Sequence, residues 1–491
     1  MPKILKYLCF FLLTLALFAV LLFFLAPREK WSEQFLKQTL QHYGITDATF
    51  QVSAFTNHHI QLKNIHYGAL PLSAETLDID YSIKAGPSLE VSYTLSNIEV
   101  HIAKETASIQ QVQGTANIRT DGTFDSKFTG TSLAHKSNTP VITPVNFEGT
   151  ANFHNDMLTL ESDIENPQHP FTIQMTGNYH IPEGKGMLSW QMPPLAFQEN
   201  LLQPEQLFPA LAGKMSDTSG TVSLEGKVDW SRGTLTNSSM AVILNKFSTE
   251  AFDTSVTGTS TTLYFNSLFP LTTRPNQLVH VDALGTGIPL TNADLTFTLK
   301  DINHLSVKKA NCAWGKGTIT TDPFTLDLVK KQSTPFTVHV DNLELEDTLN
   351  TSQEEDFTAT GKLHGLIPVS IKNGNVQVHN GYLATTERGT LQYTPKNSIL
   401  KNMDNPPLAV VAKLLEDFHY QSIQFTFNSD ENNKITTKLA LYGRNPEVYD
   451  GRLVELNVNI RGDLIDLFNQ SVETYRLPEK LIEQIANGKK K

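Results

Sequence analysis

Few stretches of this chain hold residue types that could do chemistry, and each lacks a part that the chemistry needs. Gly315-Lys316-Gly317-Thr318 resembles the end of a phosphate-binding loop, but Ala310 stands where the leading glycine of that loop belongs. Gly285-Thr286-Gly287 would begin a dinucleotide-binding loop only with a third glycine, and Leu290 occupies that position. The sequence therefore predicts no nucleotide cofactor.

Two further patterns point to metal or hydrolase chemistry without completing it. His58 and His59 are adjacent, and adjacent side chains of a strand point to opposite faces, so the pair is a poor metal site. Ser306 and Lys309 have the Ser-x-x-Lys spacing of some hydrolases, but no companion motif is visible. We therefore predict that the protein is not an enzyme and holds no metal.

Charge and cysteine content exclude further classes of protein. The 491 residues include 39 Lys and Arg and 50 Asp and Glu, a formal net charge of −11, which argues against binding to nucleic acid. The two cysteines, Cys9 and Cys312, lie far apart in the sequence, so we expect no disulfide framework.

The N-terminal segment is almost wholly apolar from Ile4 to Ala26. From Tyr7 it carries no charge for 20 residues, about the length that crosses ~30 Å of hydrocarbon as a helix. A cleaved signal peptide is the alternative, but the apolar core is long for one and no small-x-small cleavage site follows it. We expect residues 1–27 to be a retained transmembrane anchor, with the rest of the chain exported.

Residues 28–46 are predicted to form an amphipathic helix that stops at Gly44. The residues at near-helical spacing are Trp31, Phe35, Leu36, Thr39, Leu40 and Tyr43. The helix would either lie on a membrane surface as a cap or pack on the first strands.

Apolar and polar residues then alternate from residue 48 to 460 with no obvious linker, which predicts a long series of half-buried strands. A one-residue change of phase at Ser96-Asn97 indicates a bulge or turn. The dipeptide Gly-Thr recurs at residues 114, 149, 220 and 317, and we expect it to open a strand each time.

Three segments interrupt the alternation. Residues 193–213 and 406–420 begin with proline and place apolar residues at helical spacing. Leu477 to Ala486 reads as a last helix before a basic tail. We expect each segment to form a short helix that covers exposed sheet.

These patterns predict a mostly β fold. A strand with one apolar face must hide that face, and a sheet that curls along its axis hides it while leaving a groove. We predict an elongated, U-shaped (taco-like) β-sheet with an apolar groove over residues 47–405, a C-terminal helix with the last strands over 406–464, and a terminal helix and tail over 465–491. An apolar groove suits an acyl chain, because each buried methylene avoids about 0.8 kcal/mol of hydration cost.

Two stretches near the C-terminus carry a set of short motifs. Residues 361–395 contain G-x-I-P-V-x-I, N-G-x-L and G-x-L-x-Y, and residues 414–460 contain D-F-x-Y, G-x-N-P and L-N-V-N. Together these motifs resemble the C-terminal part of the YdbH-like branch of the AsmA-like proteins, with the best match over residues 361–460.

The resemblance implies a bridge-like carrier that moves phospholipids between the inner and outer membranes of a Gram-negative envelope. It implies a single-pass anchor in the inner membrane, with the bulk of the chain in the periplasm. It also implies a small outer-membrane lipoprotein as partner, which continues the sheet at the C-terminal end.

The length of the chain is a separate argument for such a partner. About 35 strands, at ~4.8 Å each, reach at most about 170 Å. This length is less than the width of a typical periplasm, so we expect that the chain does not cross the periplasm alone. The partner's strands would follow Ile460, and the helix Leu477 to Ala486 would cover that sheet edge until the partner arrives.

The groove would be lined by apolar side chains of the C-terminal strands, and the turn from Tyr442 to Arg452 would lie at its rim. The candidate lipid-facing residues are Ile367, Val369, Ile371, Val376, Val378, Ile423, Phe425, Phe427, Ile435, Leu439, Leu441, Val454, Leu456, Val458 and Ile460, with Thr437 among them. A different class of protein is the alternative: an envelope assembly or scaffold protein with closed β domains, in which the apolar faces pack on each other and leave no lipid path.

Overall fold

A computed structural model describes residues 28–42, 47–68, 72–83, 88–102, 105–132, 142–251, 254–285, 289–349, 357–393, 406–430 and 434–461. The predicted anchor, residues 1–27, and the predicted terminal helix and tail, residues 465–491, lie outside the described residues. Among the helices that are described, none is long and apolar enough to cross a bilayer.

The described chain is mostly β, as the alternation predicts, and it divides into two compact units. Unit 1 comprises Met1–Pro193, Leu207–Ala210 and Gly226–Ser238, and unit 2 comprises Pro194–Gln206, Leu211–Glu225 and Ser239–Lys491.

Unit 1 begins with helix α1, Arg28–His42, and continues as an antiparallel meander in which each strand from β1 to β10 pairs with the next. The strands are β1 Ala48–Phe55, β2 His59–Tyr67, β3 Leu72–Ile83, β4 Ser88–Ile102, β5 Glu105–Arg119, β6 Phe124–Ser132, β7 Asn146–His154, β8 Met157–Glu165, β9 Thr172–His180 and β10 Lys185–Phe197.

Short helices and two long strands follow β10, and β10, β11 and β12 each contribute residues to both units. These elements are α2 Pro204–Leu207, a 3₁₀ turn at Pro209–Leu211, β11 Met215–Ser231 and β12 Thr234–Ala251.

Unit 2 holds the remaining strands, whose described pairs are all antiparallel. The strands are β13 Thr254–Leu268, β14 Leu271–Thr273, β15 Gln277–Gly285, β16 Pro289–Asp301, β17 His304–Trp314, β18 Gly317–Thr321, β19 Phe324–Asp327, β20 Gln332–Ser333, β21 Phe336–Glu344, β22 Phe357–Ala359, β23 Lys362–Lys372, β24 Asn375–Val378, β25 Gly381–Thr385, β26 Gly389–Tyr393, β27 Phe418–Ser429, β28 Ile435–Arg444 and β29 Val454–Arg461. The helices are α3 Leu345–Leu349, α4 Pro406–Leu415 and a 3₁₀ turn at Tyr449–Gly451.

Helix α1 packs on the first strands, one of the two placements that the sequence leaves open. Leu36 and Leu40 contact the buried cluster of Phe50, Val52 and Leu62 on β1 and β2. This packing fixes one side of α1 against the sheet.

The predicted helical insert at residues 193–213 is wrong in its first part and too long. Strand β10 continues to Phe197, and helical structure is limited to Pro204–Leu207 and Pro209–Leu211. Leu195 and Phe197 are buried as strand residues, so their spacing mimics a helical face over a short window.

The phase change in β4 is a local feature of an unbroken strand. Asn97 has a φ of 50°, in the left-handed region, and its side-chain amide donates to the Glu75 carboxylate. Val91 and Ile98, on either side of the change, are both buried. The pairs Thr76–Ser96 and Ala74–Ile98 keep their register across Asn97, so no residue is inserted and the predicted bulge is not observed. The left-handed backbone at Asn97 accounts for the change of phase instead.

The recurrent Gly-Thr dipeptide does not open strands as predicted, except at Gly317. Gly114 and Gly149 lie inside β5 and β7, and both are opposite Phe128 of β6. A Cβ at Gly149 would lie 2.8 Å from the Phe128 ring and closer still to the Glu161 carbonyl. Glycine is therefore needed because neighbouring strands approach too closely for a side chain.

Candidate functional site

The predicted apolar residues of the last three strands share one face of the sheet. Directly opposed residues of antiparallel strands point the same way, so the register identifies the residues that line each face. The rows that cross β27, β28 and β29 are Ile423–Leu441–Leu456, Phe425–Leu439–Val458 and Phe427–Thr437–Ile460. Ile435 and Val454 alternate with these residues and lie on the same face.

The candidates on β23 and β24 belong to this face as well. Gly365 lies opposite Leu383, which lies opposite Phe425. Ile367, Val369 and Ile371 alternate with Gly365 along β23 and lie on the same face. Val378 pairs with Val369, and Val376 pairs with Ile371, so these two belong to it as well. The register therefore brings the thirteen candidates whose side chains the structure describes together on one face.

Burial divides this face into a closed part and an open part. Ile423 is 1% exposed and Leu441 is 4% exposed, so both are core residues of unit 2. Phe425 and Phe427 are only partly buried, and their rings stack with centroids 6.4 Å apart. Val376 is 44% exposed.

The remaining candidates fall on both sides of this division. Val369, Val378 and Leu439 are buried, as is Thr437. Those that are partly buried are Ile367, Ile371, Ile435, Val454 and Leu456. The side chains of Val458 and Ile460 lie outside the described part of the chain.

A second layer covers the closed part. It consists of the paired strands β22 and β26, the start of β27 and helix α4. Its buried side chains, packed in one cluster with Ile423 and Leu441, are Ala359, Leu391, Tyr393, Leu414, Phe418 and Tyr420. The predicted helix over residues 406–420 is therefore observed as the shorter α4, and Leu414 packs it onto the sheet.

Two hydrogen-bonded side chains hold this layer in place. The Tyr420 hydroxyl donates to the Thr360 carbonyl, and the amide of Asn445 donates to the carbonyls of Lys413 and Leu414 at 3.0 and 3.2 Å. Asn445 thus satisfies carbonyls at the C-terminal end of α4 that no helical N–H can reach. Asn445 directly follows β28, which continues to Arg444. The turn predicted to begin at Tyr442 therefore begins at Asn445.

The sequence motifs near the C-terminus map onto this closed part. Phe418 and Tyr420 are the aromatic residues of D-F-x-Y, Leu391 and Tyr393 belong to G-x-L-x-Y, and Asn445 belongs to G-x-N-P. Their roles in the structure are packing and capping, so the motifs specify how one end of the apolar face is closed.

The same face extends beyond the residues that the sequence singled out. Cys312 lies opposite Ile319, Ile319 opposite Val340, and Val340 opposite Gly365. Burial raises the pKa of the Cys312 thiol, as expected on an apolar surface. The alternation of residues 336–340 could have predicted that β21 belongs to this face. The strands between β17 and β21 are too short for their alternation to be recognised.

Unit 1 carries an apolar face of its own, built from rows across its meander. One row is Leu95–Val112–Gly130–Phe147–Ile164–Ile173, and another is Leu89–Ile118–Phe124–Phe153–Leu158–Tyr179. Every member of the first row is half-buried. These side chains are therefore neither packed as a closed core nor freely solvated.

The sheet of unit 1 curls towards this apolar face. The hydroxyl groups of Tyr67 on β2 and Tyr179 on β9 lie 3.3 Å apart. In a flat sheet the seven steps from β2 to β9 would separate the strands by about 34 Å, at ~4.8 Å per step. Burial, and then the hydrogen bond to Tyr179, raises the pKa of Tyr67, so this contact stays neutral.

The opposite face of the sheet in unit 1 is mainly polar. In unit 1 it forms an open cleft of about 940 Å³ whose lining includes Gln113, Lys127, Glu148 and Glu161. Hydroxyl, amide and carboxylate groups of this kind suit water and polar ligands and do not suit an acyl chain. The two faces therefore differ in chemistry as the alternation predicts.

Cross-strand pairs of histidine and aspartate occur in both units. His59 lies 2.8 Å from Asp80, and His280 lies 2.7 Å from Asp294. The hydrogen bond to Asp294 raises the pKa of His280, and the same bond lowers the pKa of Asp294.

The stretches with possible chemistry have structural partners in the fold. Lys316, in the turn between β17 and β18, pairs with Glu344 at 3.0 Å. His59 is engaged with aspartates, and the parts of the chain that the structure describes hold no group of three or more His, Cys, Asp or Glu that could bind a metal ion.

Comparison with known proteins identifies the family. A family model described as YdbH-like, "Intermembrane phospholipid transport protein YdbH", matches residues 84–486. Because the match covers most of the chain, the protein belongs to the YdbH-like family. No curated protein matches the chain. No solved structure matches it.

Proposed function

We propose that this protein carries phospholipids between the inner and outer membranes along the apolar face of its β-sheet in each unit. The family description supports phospholipid as the substrate and transport between two membranes as the process. The observation that carries it is the half-buried state of the row Leu95–Val112–Gly130–Phe147–Ile164–Ile173 in unit 1 and of Phe425 and Phe427 in unit 2, because a protein core would bury these side chains and a solvated surface would be polar.

The apolar face has the properties that an acyl chain needs. Phe147 and Ile164 in unit 1, and Phe425 and Phe427 in unit 2, present partly exposed hydrocarbon in rows that run across several strands. A chain of ~16 carbons laid on such rows avoids roughly 13 kcal/mol of hydration cost, at about 0.8 kcal/mol per methylene. The charged headgroup would stay at the rim in water.

The closed part limits where lipid can lie in unit 2. Ile423 and Leu441 are covered by the second layer, so lipid would contact Phe425, Phe427 and Ile367 and would not reach the covered residues. We propose that the second layer ends the apolar path on that side of the strands.

We further propose that residues 1–27 anchor the chain in the inner membrane, with the bulk of it in the periplasm. The support is the charge-free apolar segment that starts at Tyr7. Membrane-extracted protein should keep its original N-terminus, and N-terminal sequencing that begins near residue 27 would contradict the anchor.

A small outer-membrane lipoprotein is proposed to extend the sheet from β29. Among the described residues β29 pairs with β28, and a strand with one free edge can accept a strand from another chain. The strands of this partner would continue the apolar face from β29 towards the outer membrane.

Photocrosslinking from the two faces of one strand tests the lipid path. A benzophenone amino acid in place of Phe427 should form phospholipid adducts in cells, detected by mass spectrometry. The matched control is Thr426, whose cross-strand partner Tyr382 lies on the other face. Equal adduct yields at Phe427 and Thr426, or none at Phe427, would contradict the path.

The scaffold alternative has one specific observation in its favour, the closed cluster around Phe418 and Leu363, each 0% exposed. If the whole apolar face closed in this way in cells, neither position of the crosslinking pair would yield lipid. The same experiment therefore decides between the two functions.

A further inference from the structure

Helix α1 exposes two large aromatic side chains that the sheet does not use. Trp31 is 75% exposed and Phe35 is 66% exposed, and they lie one helical turn apart on the same side. Lys30, next to Trp31, is also exposed. This aromatic pair is the most exposed large apolar surface on any helix that the structure describes.

Packing of α1 on the sheet does not account for the aromatic pair. The sheet-facing side is occupied by Leu36 and Leu40, which contact the cluster of Phe50, Val52 and Leu62. A helix that packs on one sheet needs a single apolar stripe. A second apolar surface, on a different side of the helix, indicates a second apolar partner.

The sequence before α1 indicates what this partner is. The apolar segment that begins at Ile4 ends at Ala26, and α1 begins at Arg28. Tryptophan and other aromatic side chains, with lysine and arginine beside them, are enriched where a membrane-spanning segment meets the headgroups. The surface next to such a segment is therefore a phospholipid bilayer.

Distances along the helix indicate how α1 meets that surface. The headgroup zone is about 5–8 Å deep on each side of the hydrocarbon. The edge of the hydrocarbon is taken at Ala26, the last residue of the apolar segment. At 1.5 Å per residue, a helix perpendicular to the membrane would then place Trp31 about 8 Å and Phe35 about 14 Å above that edge. Only a helix that lies along the surface places both rings in the headgroup zone.

We propose that Trp31 and Phe35 insert into the headgroup zone of the phospholipid bilayer, so that α1 lies along the membrane and holds β1 and β2 against it. Because Leu36 and Leu40 fix α1 to these strands, the sheet then begins at the lipid surface. This inference rests on the proposed function, and it assigns lipid entry to the β1–β2 end of the apolar face.

Depth-dependent quenching of tryptophan fluorescence tests the proposal on the full chain in phospholipid vesicles. The probes are phosphatidylcholines brominated either near the headgroup or near the end of the acyl chains. Wild-type protein should lose more fluorescence than Trp31→Ala, and the difference should be larger for bromine near the headgroup. Equal quenching of the two proteins would overturn the proposal, whether water or another protein covers the helix.

A second variant separates this inference from the lipid path. Trp190 lies opposite Met175, on the apolar face of unit 1, so brominated lipid in the groove should quench it. Trp31→Ala with Trp190→Phe should therefore show less quenching than Trp31→Ala alone. If Trp31 is quenched and Trp190 is not, the membrane surface stands and the lipid path fails. The reverse result overturns the membrane surface and leaves the lipid path supported.

Discussion

Tyr67 and Tyr179 join two strands that the meander of unit 1 places far apart. Their hydroxyl groups are 3.3 Å apart, although β3 to β8 lie between β2 and β9. Tyr67 lies opposite Leu72, and Tyr179 lies opposite Leu158, so both belong to rows of mainly apolar residues. The contact shows that the sheet of unit 1 is rolled with this face inwards.

The rolled sheet predicts a specific crosslink. With Cys9 and Cys312 replaced by serine, Tyr67→Cys with Tyr179→Cys should be joined within one chain by a short bis-maleimide. Tyr67→Cys with Asn178→Cys is the matched control, because Asn178 points to the other face. Mass spectrometry of the digested protein would identify the bridge. A flat sheet, with the strands about 34 Å apart, would give no bridge in either variant.

The close approach of strands at Gly149 predicts a large effect of a small substitution. Gly149→Ala should lower stability by about 1–3 kcal/mol, because the new methyl group would overlap the Phe128 ring and a backbone carbonyl. Gly177→Ala is the control, since its methyl group would meet the flexible end of Leu188 at 3.1 Å. Urea unfolding of both variants should show the larger shift for Gly149→Ala. Equal shifts would contradict the packing described at Phe128.

The sequence predicts the apolar face well because alternation carries both strand identity and face. The pairing of Leu439 with Val458, and of Leu441 with Leu456, follows from runs that keep phase on each side of one turn. Each run is local, so its pattern is visible without knowledge of the rest of the fold.

Long-range features are not visible in the same way. The contact of Tyr67 with Tyr179 joins residues 112 apart and depends on the accumulated twist of many strands. The burial of Ile423 depends on Leu391 and Leu414, which lie in separate elements of the second layer. The same alternating pattern fits a lipid-facing strand and a covered strand, so only the structure distinguishes Phe427 from Ile423.

This distinction predicts different effects of the same substitution at two positions on β27. Phe427→Asp should leave protein abundance near normal and reduce lipid transport, because the carboxylate would stand in the path and stay near water. Ile423→Asp should deplete the protein, because an unpaired carboxylate buried in the closed part costs several kcal/mol. Abundance and envelope function measured together separate the effects. Normal transport by an abundant Phe427→Asp protein would argue against a path at that position.

The edge of β29 should capture its partner in cells. Cysteines at Glu455 and Asn457, both exposed, should crosslink to a small outer-membrane protein. Cysteine at Asn375, exposed at the start of β24, is the control and should not. If no position between 454 and 460 captures a protein, the proposed partner is wrong.

The pair of His280 and Asp294 predicts a pH-dependent contribution to stability. The pKa of His280 is raised in the folded protein. The stability that His280 contributes is therefore complete below its ordinary pKa of 6.5 and is lost as the pH rises through the raised pKa. The lowered pKa of Asp294 means that its contribution is present above 3.8 and is lost as pH falls through the lowered value. The pair therefore stabilises the fold most between pH 3.8 and pH 6.5, the ordinary pKa values of the two groups.

An NMR titration of the His280 ring checks this assignment. Asp294→Asn should lower the pKa of His280 more than Asp282→Asn does, because the hydrogen bond to Asp294 is its main cause. An unchanged pKa in Asp294→Asn would show that the pair does not form in solution.

Native mass spectrometry of the detergent-purified chain tests the central claim most directly. If the apolar faces carry phospholipid, the spectrum should show the protein with bound masses of phospholipids, identified by lipid extraction. A variant with Phe147→Asp and Phe427→Asp should retain fewer of them while remaining folded. A wild-type spectrum that shows only the bare protein mass, with no phospholipid in the extract, would contradict the account.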